Sequence, residues 1–235
     1  MTKFSGPLLH TEKSSAAGRD WFGGMPSAND PDYVTMMDDF TIAVFNATDD
    51  WTVVKDSSAT VTVAADTANG AALLTSATTT DDDGASIQGN EVILPAAGRT
   101  IWFEAKVQAS DADQHDMFIG ISENFATNPE ACLTASNRIG FQVDDGDASL
   151  LATSEVADTE SQTDTSQDMA DATYVTLGFR VNGTSSIEFF VNRNLVATHT
   201  SVPTTEMTPA FMNISGNNTG THTAQADYIF ACWTR

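Results

Sequence analysis

Acids in short, closely spaced sets are the residues of this 235-residue sequence whose types could do chemistry. "DDDGAS" holds Asp81, Asp82 and Asp83 ahead of Gly84. "SDADQHD" offers Asp111, Asp113 and Asp116, and "VDDGD" offers Asp144, Asp145 and Asp147. A metal site and a catalytic carboxylate pair both draw on such sets. Calcium takes about six to eight oxygen ligands, and spaced carboxylates beside a glycine turn supply several of them. Asp and Gly are also what tight turns between strands select for backbone reasons. None of the three sets has EF-hand spacing. We read them as solvated corners, with Asp111, Asp113 and Asp116 the best calcium candidate because those acids are spaced rather than adjacent.

Other constellations are thin. Glu104 stands alone on its segment with Lys106 two residues on, and Glu188 lies between Ser186 and Phe190 at the same spacing. There is no G-x-S-x-G, H-E-x-x-H, C-x-x-C or Walker loop. His10, His115, His199 and His222 are scattered, and His199, beside Thr residues, is expected to serve as a cross-strand partner. Cys132 and Cys232 form no motif and read as two separate buried thiols. Trp102 falls on the polar face of its segment, where it could carry a sugar ring; we expect an arm or loop to cover it instead.

The elements that must position these residues are strands. "TIWFEAKVQ" sets Ile101, Phe103, Ala105 and Val107 on one face, and "DMFIGIS" does the same with Met117, Ile119 and Ile121. "RIGFQV" predicts burial of Ile139, Phe141 and Val143, and "YVTLGFRV" of Val175, Leu177, Phe179 and Val181. Asn192-Arg193-Asn194 reads as a hairpin connection. "TNPEACLTAS" is the best helical signal, a turn or two with Asn128 as cap and Pro129 in the first helical position. Residues 144–171 hold nine acids and no Lys or Arg, and are expected to form a solvated, mobile excursion.

Ten Lys and Arg stand against 32 Asp and Glu, a net charge of −22. Such a surface repels phosphate backbones and excludes nucleic acid as a partner. No segment reaches the roughly 20 apolar residues of a membrane span, and the first residues hold no apolar leader, so the chain is expected to be made and kept in a cytosol. Residues 1–36 lack periodicity yet carry Phe4, Leu8, Leu9, Trp21 and Phe22, which predicts an extended arm that docks on its own domain or a neighbour.

Four segments in this order resemble the concanavalin A-like lectin/glucanase jelly-roll. They are "WFEAKVQASDADQHDMFIGIS", "IGFQVDDGD", "VTLGFRVNGTSSIEFFVNRNLVATHT" and "ADYIFACWTR". The resemblance implies an all-β, two-sheet antiparallel jelly-roll sandwich over residues 37–235, with residues 1–36 as an extended N-terminal docking arm. Glucanases of that fold carry an alternating Glu-x-Asp-x-Glu run on one strand, which places the carboxylates on one face. No such run exists here, so no enzyme is expected. The arm and acidic body are similar to capsid-associated decoration proteins of marine tailed bacteriophages. That similarity implies a non-enzymatic structural virion protein on the capsid surface, made in the host cytoplasm. Its partners would be the major capsid protein, other virion proteins or further copies of itself, with calcium the one cofactor in view. The alternative is a carbohydrate-binding module or adhesin that contacts host surface glycans.

Overall fold

The structure, a computed structural model, describes residues 33–41, 45, 50–56, 58–64, 70–76, 82–90, 92–123, 128–216 and 220–235. In chain order the strands are β1 (Tyr33–Asp38), β2 (Trp51–Lys55), β3 (Thr60–Val63), β4 (Ala72–Thr75), β5 (Gly84–Gly89), β6 (Thr100–Ala109), β7 (His115–Ser122) and β8 (Asn137–Asp144). There follow β9 (Asp147–Val156), β10 (Thr159–Asp168), β11 (Val175–Asn182), β12 (Ser186–Val191), β13 (Asn194–His199), β14 (Thr208–Ser215) and β15 (Thr223–Thr234). A 3₁₀ turn, Pro129–Cys132, is capped as its sequence predicts: the Asn128 side chain accepts the Glu130 N–H.

Two antiparallel sheets stack as a jelly-roll sandwich. One runs β13-β12-β11-β6-β15-β4-β3, with β1 also paired to β15; the other runs β10-β9-β8-β7-β14-β5-β2. The inward residues are those the alternation assigns: Ile101, Phe103, Met117, Ile119, Phe141, Leu177 and Phe179 are all buried in one core. Phe103 and Phe179, cross-strand partners, stack at 4.9 Å, and Phe141 meets Phe189 edge-on from the facing sheet at 5.5 Å. Offset and edge-on rings of this kind add to their burial. The β12–β13 connection is tighter than expected, a two-residue turn with Asn192 and Arg193 both at positive φ, the backbone that matches strand twist.

Expectations for three segments compare with the structure as follows. The arm residues Phe4, Leu8, Leu9, Trp21 and Phe22 lie outside the described residues. The expected boundary after residue 36 falls inside β1, which already pairs with β15 from Tyr33. Residues 144–171 are not an excursion: β9 and β10 make a regular ladder from Thr159↔Val156 to Asp164↔Leu151. Their Ser, Thr and Gln side chains suit an edge hairpin whose outer strand is wet, so polarity there marks the sheet's rim rather than a loop.

Both sheets are also covered in part on their outer faces. On the second sheet, Phe118, Ala210, Met212 and Ile214 are buried beneath Cys132 and its neighbours in the 3₁₀ turn. On the first, Trp102, Phe230 and Cys232 pack with Tyr33 and Tyr228.

Candidate functional site

The outer face of the second sheet is where acids collect. Along β8 the outward positions are Arg138, Gly140, Gln142 and Asp144; along β7 they are Asp116, Phe118, Gly120 and Ser122. The β7–β8 ladder runs to Met117↔Val143, and continuing its register by one step brings Asp116 level with Asp144 at one end of that face. Direct cross-strand neighbours stand about 4.5–5.5 Å apart at Cβ. Both residues are half-buried, so a ligand reaches them while water is thinned.

The two carboxyls are held differently. Asp116 Oδ1 accepts the Asp145 N–H at 2.6 Å, whereas Asp144 Oδ1 accepts from Gln142 Nε2 at 2.5 Å. Burial, above all, pushes the Asp116 carboxyl up to about 6, and the charges of Asp144, Asp145 and Asp82 push the same way against the Asp145 N–H. Among the described residues no basic group opposes that rise. A carboxyl that holds its proton near neutrality, beside a second that accepts a side-chain N–H, is an acid–base pair in form.

The other acids of that face are spent on structure. Arg138, 3% exposed, lies in register with Glu155, which is in turn opposite Glu160, and its guanidinium reaches both carboxylates. It also donates to the carbonyls of Leu133 and Ala135, which ties the loop after the 3₁₀ turn to the sheet. Burial raises the Glu155 carboxyl, and Arg138 opposes that.

The sites expected from sequence are placed as follows. "VDDGD" is a turn, with Gly146 at φ 84, but Asp144 at its start belongs to the pair above. Asp111 and Asp113 share a hydrogen bond, while Asp116 is engaged by Asp145; among the described residues no group of three or more His, Cys, Asp or Glu is placed to hold a metal ion. Trp102 is 6% exposed and packs against Tyr33 at 6.1 Å, so it offers no open sugar platform. Glu104 is buried beside it, takes a hydrogen bond from Tyr228 at 2.5 Å, and has its carboxyl raised by burial. His199 bridges the two sheets, meeting Ser154 Oγ at 2.8 Å and Thr163 Oγ1 at 3.0 Å, a contact from sheet to sheet where a partner across neighbouring strands was expected. The Asp116–Asp144 pair is not among the expected sites; the signal for it is that "DMFIGIS" and "RIGFQVD" each place an Asp in the outward phase at the same end.

No protein-family model matches the sequence, and no curated protein matches it either. Solved structures do share the architecture. An endo-1,3-β-glucanase from Streptomyces sioyaensis superposes with a TM-score of 0.63 at 13% identity, covering 89% of this chain and 99% of the glucanase. A glycoside hydrolase family 16 endo-glucanase from Bacteroides ovatus gives 0.60 at 12% identity, over 83% of this chain and 98% of that one. An apo transglycosylase gives 0.60 at 15% identity, over 84% and 83%. At such identities the likeness establishes the fold, the concanavalin A-like jelly-roll. It also corrects the expectation of a non-enzymatic structural virion protein. The three solved chains named above, which share this architecture over most of their length, are carbohydrate-active enzymes, and neither the decoration role nor the absence of enzymatic activity stands against them.

Proposed function

We propose that this chain is a glycan-processing enzyme, a glycosidase or transglycosylase acting on β-glucan-like polysaccharide, with its chemistry at Asp116 and Asp144. The observation that carries the reading is the cross-strand carboxylate pair whose one member holds a proton up to about pH 6. The catalytic carboxyls of retaining enzymes stand about 5–5.5 Å apart, and side chains that leave neighbouring strands from Cβ atoms about 4.5–5.5 Å apart can reach that spacing. Asp116, protonated, donates its proton to the glycosidic oxygen as that bond breaks. Asp144, held at Oδ1 by Gln142, attacks the anomeric carbon through its carboxyl oxygen and forms a glycosyl ester. Asp116, now a carboxylate, takes a proton from water or from an acceptor sugar hydroxyl, whose oxygen displaces Asp144; water gives hydrolysis and sugar gives transfer. The fold's alternating acidic run is missing, so the pair here would be an independent solution on the same architecture.

The test is product release from β-1,3- and mixed-linkage glucans, followed by chromatography of oligosaccharides, for the wild type, Asp116→Asn and Asp144→Asn. Turnover lost by at least about 100-fold in each variant is expected, the scale of removing a general acid or nucleophile. Binding of glucan without turnover, or turnover unaffected by both substitutions, would sink the proposal.

A further inference from the structure

Of the seven Lys and Arg among the described residues, four face carboxylates: Lys106 faces Asp227, Arg138 faces Glu155 and Glu160, Arg180 faces Glu188, and Arg193 faces Glu104. Arg99 faces none, and unlike Lys55 and Arg235, which are exposed, it is set into the surface. It is half-buried, no carboxylate among the described residues pairs with it, and its side chain makes one long contact, 3.5 Å from Nη1 to the Leu94 carbonyl. It lines an open groove of about 280 Å³ together with Ala97, Gly98, Thr100, Asn182, Gly183, Thr184 and Ser185. The lining therefore has one guanidinium, three hydroxyls and one amide, and not a single acid, on a protein of net charge −22.

The groove is built rather than incidental. Gly98 and Gly183 both sit at positive φ, 79° and 61°, and the Gly183 N–H donates to the Arg99 carbonyl at 2.7 Å, which locks the β5–β6 loop to the β11–β12 turn. At Gly98 a side chain would meet open space, so its glycine answers a backbone need and leaves the mouth clear. Thr184 and Ser185 stand exposed at the rim with free rotors to donate. A planar fork of N–H donors beside hydroxyls matches an oxyanion presented on a polyhydroxy ring.

We infer that this groove binds the carboxylate or sulfate group of an acidic sugar unit. It is a separate site from the Asp116–Asp144 pair: β6 starts in the groove at Thr100, and ten residues of strand at ~3.3 Å each put the two about 30 Å apart. A small probe therefore reads the groove whether or not the chain turns over glucan.

Glucuronate, glucose 6-sulfate, glucose and inorganic sulfate are titrated separately into the labelled chain, with amide shifts of residues 97–100 and 182–185 followed by two-dimensional NMR. One or both acidic sugars should bind with a Kd on the order of 1–10 mM, as a single charge-assisted contact allows. Glucose should leave these amides unmoved, and Arg99→Gln should weaken binding at least about 10-fold with the rest of the spectrum unchanged. Silence from both acidic sugars, retention of binding by Arg99→Gln, or inorganic sulfate binding as tightly as the sulfated sugar would each overturn the inference.

Discussion

Replacing Asp116 by Asn separates the cost of the carboxylate from its use. The carboxyl sits half-buried with Asp144, Asp145 and Asp82 as like-charged neighbours, which, after burial, hold its proton up to about 6 against an ordinary 3.8. A folded-state value above the unfolded one means that stability is fully present below pH 3.8 and is lost as pH rises through 6. The rise from 3.8 to about 6 is worth about 3 kcal/mol at full value; partial exposure and screening reduce that to about 1–1.5 kcal/mol. Asn carries no charge at any pH, and its Oδ1 still accepts the Asp145 N–H. The variant should therefore match the wild type near pH 4 and exceed it by about 1–1.5 kcal/mol above pH 7, on the order of 3 °C in Tm for a domain of this size. Urea unfolding at half-unit steps from pH 4 to 8 measures this. In the same protein glucan turnover should disappear. A stability difference that is constant across the range, or a variant less stable than wild type at pH 7.5, would refute the account of how this carboxyl keeps its proton.

Phe118→Ala should cost about 3–4 kcal/mol in urea unfolding, because the ring is wholly buried on the outer face beneath Cys132 and Met212 and truncation leaves a cavity; a loss below about 1 kcal/mol would mean that the 3₁₀ turn does not pack there. Arg138→Met should destabilise by about 3–5 kcal/mol at pH 7 by leaving Glu155 and Glu160 opposed without a cation, with recovery at acidic pH as Glu155, whose carboxyl burial raises, takes up its proton. Equal losses at both pH values would show the side chain to matter only through its carbonyl contacts. Burial lowers the His199 imidazole below its ordinary 6.5, so its contribution is complete above pH 6.5 and is lost as pH falls below it. His199→Gln should flatten that part of the stability curve between pH 5 and 7, as followed by thermal melts.

The sandwich was legible because strands with one face in the core write that face as every second residue, as Ile101 to Val107 and Val175 to Val181 do. The turn glycines and the Asn128–Pro129 cap were legible for similarly local reasons. The β9–β10 hairpin was not, since "TESQTDTSQD" lacks an apolar phase and only its partner strand reveals the ladder. The carboxylate pair was hidden for a different reason. Asp116 and Asp144 are 28 positions apart, and only the register between β7 and β8 sets them opposite one another. Trp102 shows the converse limit: its outward phase was readable, yet what lies over it is a tertiary fact.

One sheet face thus holds two opposed acid pairs, and their contrast locates the site. At an effective dielectric near 20, two charges about 5 Å apart repel by roughly 3 kcal/mol, so neither pair stays doubly ionised without relief. Glu155 and Glu160 are relieved by the Arg138 guanidinium, which ties both into a structural cluster. Among the described residues no cation faces Asp116 and Asp144; burial first, and the charge of Asp144 after it, keep a proton on Asp116, an arrangement that leaves chemistry available. Supplying a cation should therefore convert the second pair into the first. Gln142 lies two residues from Asp144 on the same face and already touches its carboxylate. Gln142→Lys places an ammonium there and should draw the Asp116 carboxyl down from about 6 by a unit or more, as an opposite charge within hydrogen-bond reach does. Carboxyl NMR titration reads the change directly, and the alkaline limb of glucan turnover should move to lower pH with it. An Asp116 titration unchanged in a variant that still folds would mean that burial alone holds the proton, and that the two pairs do not differ for the reason given.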